Sequence, residues 1–221
     1  VAAAGARMLL REATAEVHAR LHGVPAFRAL AEGRLSLPAY GALLGRLLGF
    51  HAAVEAALAA APSLLPYGID LAERGRSAAL RADLAALGLT PPEYPPLAPV
   101  PRLDTAARAL GCLYVTEGST LGGRQLARGL DPLLPGGGEA GRAFLLGHGA
   151  RHGAMWQACC AAVEACGSEP GGLAGMAAAA GETFAAFEAW FAPGAGGLPQ
   201  HGPAPAAASG EARAGGRRRP G

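Results

Sequence analysis

Gly118-Ser119-Thr120-Leu121-Gly122-Gly123 lies within residues 104–130, a stretch whose other residues keep helical spacing. Glycine in a helix interior costs about 1 kcal/mol relative to alanine, so three of them in six positions cost about 3 kcal/mol and require a reason. A backbone stripped of Cβ atoms can bend, and it lets a flat ligand or another helix come close.

On either side of this stretch the pattern is helical. Residues 8–21 place Leu10, Ala13, Val17 and Leu21 on one face. Ser36 is an N-cap with Pro38 in the first turn, and Tyr40, Leu43, Leu44, Leu47, Leu48, His51, Val54 and Leu58 continue one amphipathic helix to about Ala61. Further helices are predicted over 70–87, 141–148, 153–166 and 173–191, with a proline-dense connector at 90–101. β-Branched residues are too scarce for a sheet, so the fold class is all-α.

A chain of 221 residues fits one helical domain, here 8–192, preceded by a flexible 1–7. From Pro193 the sequence turns to glycine, alanine and proline and ends in Arg217-Arg218-Arg219-Pro220-Gly221, so 193–221 is predicted to be a disordered tail. One basic run without interleaved aromatics does not indicate a nucleic-acid partner. No stretch offers about 18 uninterrupted apolar residues, and no secretory leader precedes residue 8, so a cytoplasmic protein without a membrane span is expected. The net charge is +2, and all 19 basic residues are arginine, a bias shared with alanine, glycine and proline that fits a GC-rich coding sequence. Cys112, Cys159, Cys160 and Cys166 lack zinc-site spacing and are read as buried thiols.

Candidate chemistry begins on the first helix. Arg11 and His18, two turns apart, share a stripe with Thr14 between them and His22 one turn further. Neutral imidazole is a good ligand for iron, zinc or copper, and an arginine about 10 Å along the axis can hold a carboxylate on the rim of a bound ring. A satisfied core histidine is the other reading of His18.

The run Leu10-Arg11-Glu12-Ala13-Thr14-Ala15-Glu16-Val17-His18 resembles the proximal helix of the haem oxygenase family. Residues 27–55, with Gly33, Tyr40 and Phe50-His51-Ala52-Ala53-Val54-Glu55, are similar to the segments that follow it. Tyr114 through Gly123 resembles the distal helix, and 156–166 and 183–191 more loosely match the last helices, so the likeness spans about 8–191.

The resemblance implies a single-domain fold with haem between a proximal and a kinked distal helix. His18 would be the iron ligand, with Arg11, Thr14, Gly118, Gly122 and Gly123 binding haem and Gly118, Ser119 and Gly122 lining the reaction face. The implied activity is conversion of haem, at once cofactor and substrate, to biliverdin, CO and ferrous iron. It uses O2 and electrons from a ferredoxin or an NAD(P)H-dependent reductase. Such biliverdin would serve iron release or supply a photoreceptor chromophore. Ser119 stands where many members have aspartate, which raises the alternative of a haem carrier that does not degrade its ligand. His22 stands where some members carry a carboxylate that orients the proximal histidine.

His51 is read as a core histidine or a member of a distal water network. His148 and His152, in a glycine-broken stretch, are expected at the surface, and Arg124 is expected to meet a propionate or solvent. Glu12, Glu16, Glu55 and Glu117 do not form the paired glutamate–histidine units of a di-iron bundle.

Overall fold

The computed structural model describes residues 5–21, 23–90, 100–134, 136 and 138–192. The expectations for His22, for most of the proline connector and for the 193–221 tail lie outside these residues. Seven α-helices form the described part: α1 (Ala6–Leu21), α2 (Pro25–Ala31), α3 (Leu37–Ala59), α4 (Ser77–Ala86), α5 (Ala106–Arg128), α6 (His152–Gly167) and α7 (Gly172–Phe191). No strand occurs among the described residues.

Helix α3 begins where the sequence places it, with the Ser36 hydroxyl accepting from the Ala39 amide and Pro38 in the first turn. It is long and apolar enough by composition to cross a membrane, yet Leu43, Leu44, Leu47, Phe50 and Val54 are buried in the protein core. Arg46 is buried too, its guanidinium 4.4 Å from the Trp190 ring centre, while the Trp190 indole N–H donates to the Arg46 carbonyl at 2.8 Å. These contacts join α3 to the end of α7.

Helices α5 and α7 pack most extensively. At their crossing a Cβ on Gly111 would fall on the Met176 carbonyl, so glycine there is a condition of the approach. Helix α1 lies on α7 and α6, and its first amides, those of Ala6 and Arg7, are taken by the Glu164 carboxylate of α6 at 2.8 and 3.2 Å. Helices α1 and α5 make no substantial contact with each other, although both rest on α6 and α7. That leaves a gap between them.

Two predicted helices are broken. Over 70–87, a 3-10 turn (Leu71–Arg74) and an extended Gly75 precede α4. The Glu55 carboxylate of α3 takes the amides of Arg76 (2.5 Å) and Ser77 (2.8 Å) and the Ser77 hydroxyl, replacing the helical partners. Over 141–148 the chain runs in turns, because Gly141 and Gly147 adopt φ of +81° and +76° and the Asp83 carboxylate takes the amides of Ala143 and Phe144 at 2.8 and 2.9 Å. Helix α2 leaves no mark in the sequence pattern, since seven residues are too few to show periodicity.

Gly111→Ala is expected to destabilise the fold by about 1–3 kcal/mol through overpacking. Gly181→Ala, on the open side of α7, is expected to stabilise it by up to about 1 kcal/mol. Urea unfolding of both variants measures the contrast.

Candidate functional site

Helix α1 presents Arg11 and His18 on its exposed surface, as the sequence stripe requires. His18 meets the edge of Phe184 from α7, ring centres 6.3 Å apart. Thr14 is not on that surface: it is 5 % exposed, and its hydroxyl donates to the Leu10 carbonyl at 2.9 Å.

Across the gap, α5 runs as one helix through the glycine cluster. Three glycines with one sequence rationale turn out to differ. A Cβ on Gly123 would strike the Leu145 carbonyl, so protein packing alone accounts for that residue. A Cβ on Gly122 would meet nothing within 4 Å, and one on Gly118 would meet only the Trp156 ring, at 3.6 Å. Protein packing therefore does not account for Gly118 and Gly122. Ser119 is exposed, and its hydroxyl donates to the Thr116 carbonyl at 2.7 Å, leaving its lone pairs free to accept.

One turn before Gly118, Tyr114 packs against Trp156 with ring centres 5.6 Å apart and the ring planes tilted by 37°. Burial raises its phenol pKa, while the charges of Arg7 and Arg11 on α1 act in the opposite sense. Arg7 and Arg11 thus lie near enough to Tyr114 for their charges to act on its phenol. The sequence singles out Arg11, and Tyr114 as the start of the segment that resembles the distal helix; Arg7 carries no signal beyond its register on α1.

Behind α5 the arrangement departs from expectation. His148 and His152 are not surface residues: the His148 side chain is 6 % exposed, its Nε2 lies 3.0 Å from Glu117 Oε1, and His152 is half-buried. The backbone turn that breaks the helix folds both rings inward. Glu117, 2 % exposed, also pairs with Arg74 at 3.2 Å, and Arg74 donates to the Met155 carbonyl at 3.0 Å. Arg124 donates to the Gly149 carbonyl at 2.9 Å. His51 is a core histidine between the rings of Phe50 and Phe144, and burial, aided by the charge of Arg76, lowers its pKa to about 3. Cys112, Cys159 and Cys166 are buried, and burial pushes Cys112 and Cys159 up to about 11 and 12, so these two are inert thiols. No cluster of three or more metal-ligating side chains occurs among the described residues. A single histidine ligand suits a metal that arrives inside a ring bringing its own equatorial ligands.

Residues 5–193 match the sequence model of the family described as Heme oxygenase. The chain belongs to the haem oxygenase family. Its fold is similar to the NO- and CO-bound haem oxygenase from Neisseria meningitidis, with a TM-score of 0.68 and 26% sequence identity over 86% of this chain and 91% of that one. No curated protein sequence gives a match. The family acts on haem, and Gly118 and Gly122 fit such a ligand, because the space their missing side chains leave is not filled by protein.

The neutral state of His51 has a consequence for this haem oxygenase family fold. Its folded pKa of about 3 lies below the unfolded value of 6.5, so the unfolded chain binds more protons between these limits. The stability contribution is intact above pH 6.5 and is lost as pH falls towards 3, at up to about 1.4 kcal/mol per pH unit. Urea titrations from pH 7 to 4 are expected to show a shallower slope for His51→Leu than for wild type.

Proposed function

We propose that this protein cleaves haem oxidatively to biliverdin, releasing CO and ferrous iron, with O2 as oxidant and a ferredoxin or an NAD(P)H-dependent reductase as electron donor. The observation behind this reading is the pair Gly118 and Gly122 on α5, bare of side chains for no reason internal to the protein, together with His18 exposed on α1. Haem when bound supplies the iron that activates dioxygen and the ring carbon that is oxidised.

The chain's own residues do the rest. His18 supplies a neutral imidazole nitrogen to the iron from α1. Arg11 and Arg7, with the Tyr114 hydroxyl, hold the propionates and so fix the ring's rotation within the gap. The helix turn at Gly118 and Gly122 would let backbone come close to the ring and so limit the space left there for a small diatomic. Ser119, its proton committed to the Thr116 carbonyl, accepts a hydrogen bond from water and holds it beside that face. Thr14 backs α1 from the core side, and Gly123 keeps α5 against the Leu145 carbonyl.

Purified protein mixed with haem and then with ascorbate, or with ferredoxin and its reductase, is expected to lose the Soret band as biliverdin absorption rises. A Soret band that persists under O2 identifies a haem carrier instead. His18→Ala is expected to change the bound spectrum and abolish turnover.

Gly122→Ala separates ligand packing from protein packing. Without haem it is expected to be as stable as wild type or up to about 1 kcal/mol more stable, since the new methyl touches nothing and alanine favours helix. With haem it is expected to bind more weakly and turn over more slowly. Thermal unfolding of the haem-free protein and haem titration measure the two effects.

A further inference from the structure

The residues of α5 that meet the 141–149 segment form one stripe. Glu117 bonds His148, Thr120 lies against Gly147, Gly123 receives the Leu145 carbonyl, Arg124 bonds the Gly149 carbonyl, and the Ala127 carbonyl accepts from Arg142 at 3.2 Å. Spacings of three and four residues put them on the back of the helix. The exposed residues Ser119, Leu121, Gly122 and Gln125 lie on the other side. Thus one helix is clamped behind and bare in front.

The clamp is itself held. Asp83 of α4 fixes the amides of Ala143 and Phe144, and Arg76 donates to the Phe144 carbonyl. Glu117 is where this framework reaches the glycine segment, because its carboxylate joins His148 of the irregular segment to Arg74, and through Arg74 to the Met155 carbonyl of α6. A carboxylate so deeply buried is costly unless paired in good geometry, so its partners fix its place, and Gly118 is the next residue.

We propose that Glu117 is a positioning residue: its bonds to Arg74 and His148 set the distance of the Gly118–Gly122 backbone from the haem, and hence the geometry of a diatomic bound there. The part concerning haem rests on the function proposed above.

The test compares wild type, Glu117→Gln, Glu117→Ala and Arg124→Gln. In the haem-free proteins, amide hydrogen exchange at 118–124 is measured. In the ferrous haem complexes, the C–O stretching frequency of bound CO is measured together with the rate of haem loss under O2 and reductant.

Glu117→Gln keeps one acceptor oxygen for Arg74 and turns its amide N–H towards the Nε2 of a neutral His148, so it preserves both contacts and is expected to retain the wild-type frequency. Glu117→Ala is expected to speed exchange at 118–124, shift the frequency and slow haem loss by about tenfold, a modest misplacement being enough for such an effect. Arg124→Gln, which cuts the ties to the Leu146 and Gly149 carbonyls and leaves the Glu117 pairs in place, is expected to shift exchange and frequency in the same direction by less. It provides the decisive comparison if Glu117→Ala does not fold.

Unchanged exchange at 118–124 in the alanine variant, or a wild-type CO frequency and turnover in a variant that has merely lost stability, overturns the proposal. Failure of the wild-type protein to take up haem overturns the proposed function instead, and the exchange experiment then decides the positioning role by itself.

Discussion

A carboxylate removed from water must be paired, and the pairing of Glu117 with Arg74 and His148 is the constraint around which this fold is organised. The partners come from two irregular stretches of chain, one before α4 and one before α6. Both stretches leave helical geometry and are stabilised there by other groups. Glu55 and Asp83 take backbone amides, while Arg76, Arg124 and Arg142 take carbonyls. The arginines of this chain therefore have structural work that composition concealed. A planar guanidinium can donate in several directions at once, which suits it to satisfying carbonyls that a broken helix leaves behind.

Where the sequence was legible, local chemistry decided the outcome. Ser36 with Pro38 starts α3 because both act on their own turn, and Arg11 and His18 share a surface because helical geometry requires it. The broken segments were not legible, since what interrupts them is a carboxylate on another helix. Glu55 and Asp83 carry no mark in the sequence that they will cap distant amides. His148 was misplaced for a related reason: glycines on both sides suggested a surface turn, and only the tertiary path shows that the turn carries the ring inward to Glu117. The glycine cluster has two causes that its sequence does not distinguish. Gly123 answers to Leu145, whereas Gly118 and Gly122 answer to no protein atom that forbids a side chain.

Thr14 illustrates the limit of stripe arguments. Residues three and four apart lie close on a helix, but a stripe about 100° wide spans both an exposed edge and a buried one. Arg11 and His18 fall on the exposed side, and Thr14 falls on the core side with its hydroxyl turned back to Leu10. Periodicity gave the neighbourhood, and packing decided which members face outward.

The gap between α1 and α5 carries a thermodynamic consequence. Because these helices rest on α6 and α7 and hardly touch each other, the described residues supply little cohesion directly across the gap. A ligand that bridges them adds a contact the empty protein lacks, and its binding energy is thereby coupled to the docking of α1. By linkage, such a ligand raises resistance to unfolding in proportion to the logarithm of its free concentration above its dissociation constant. Consumption of the ligand withdraws that contribution, so each turnover would return α1 to its weaker, ligand-free attachment and ease release of what remains.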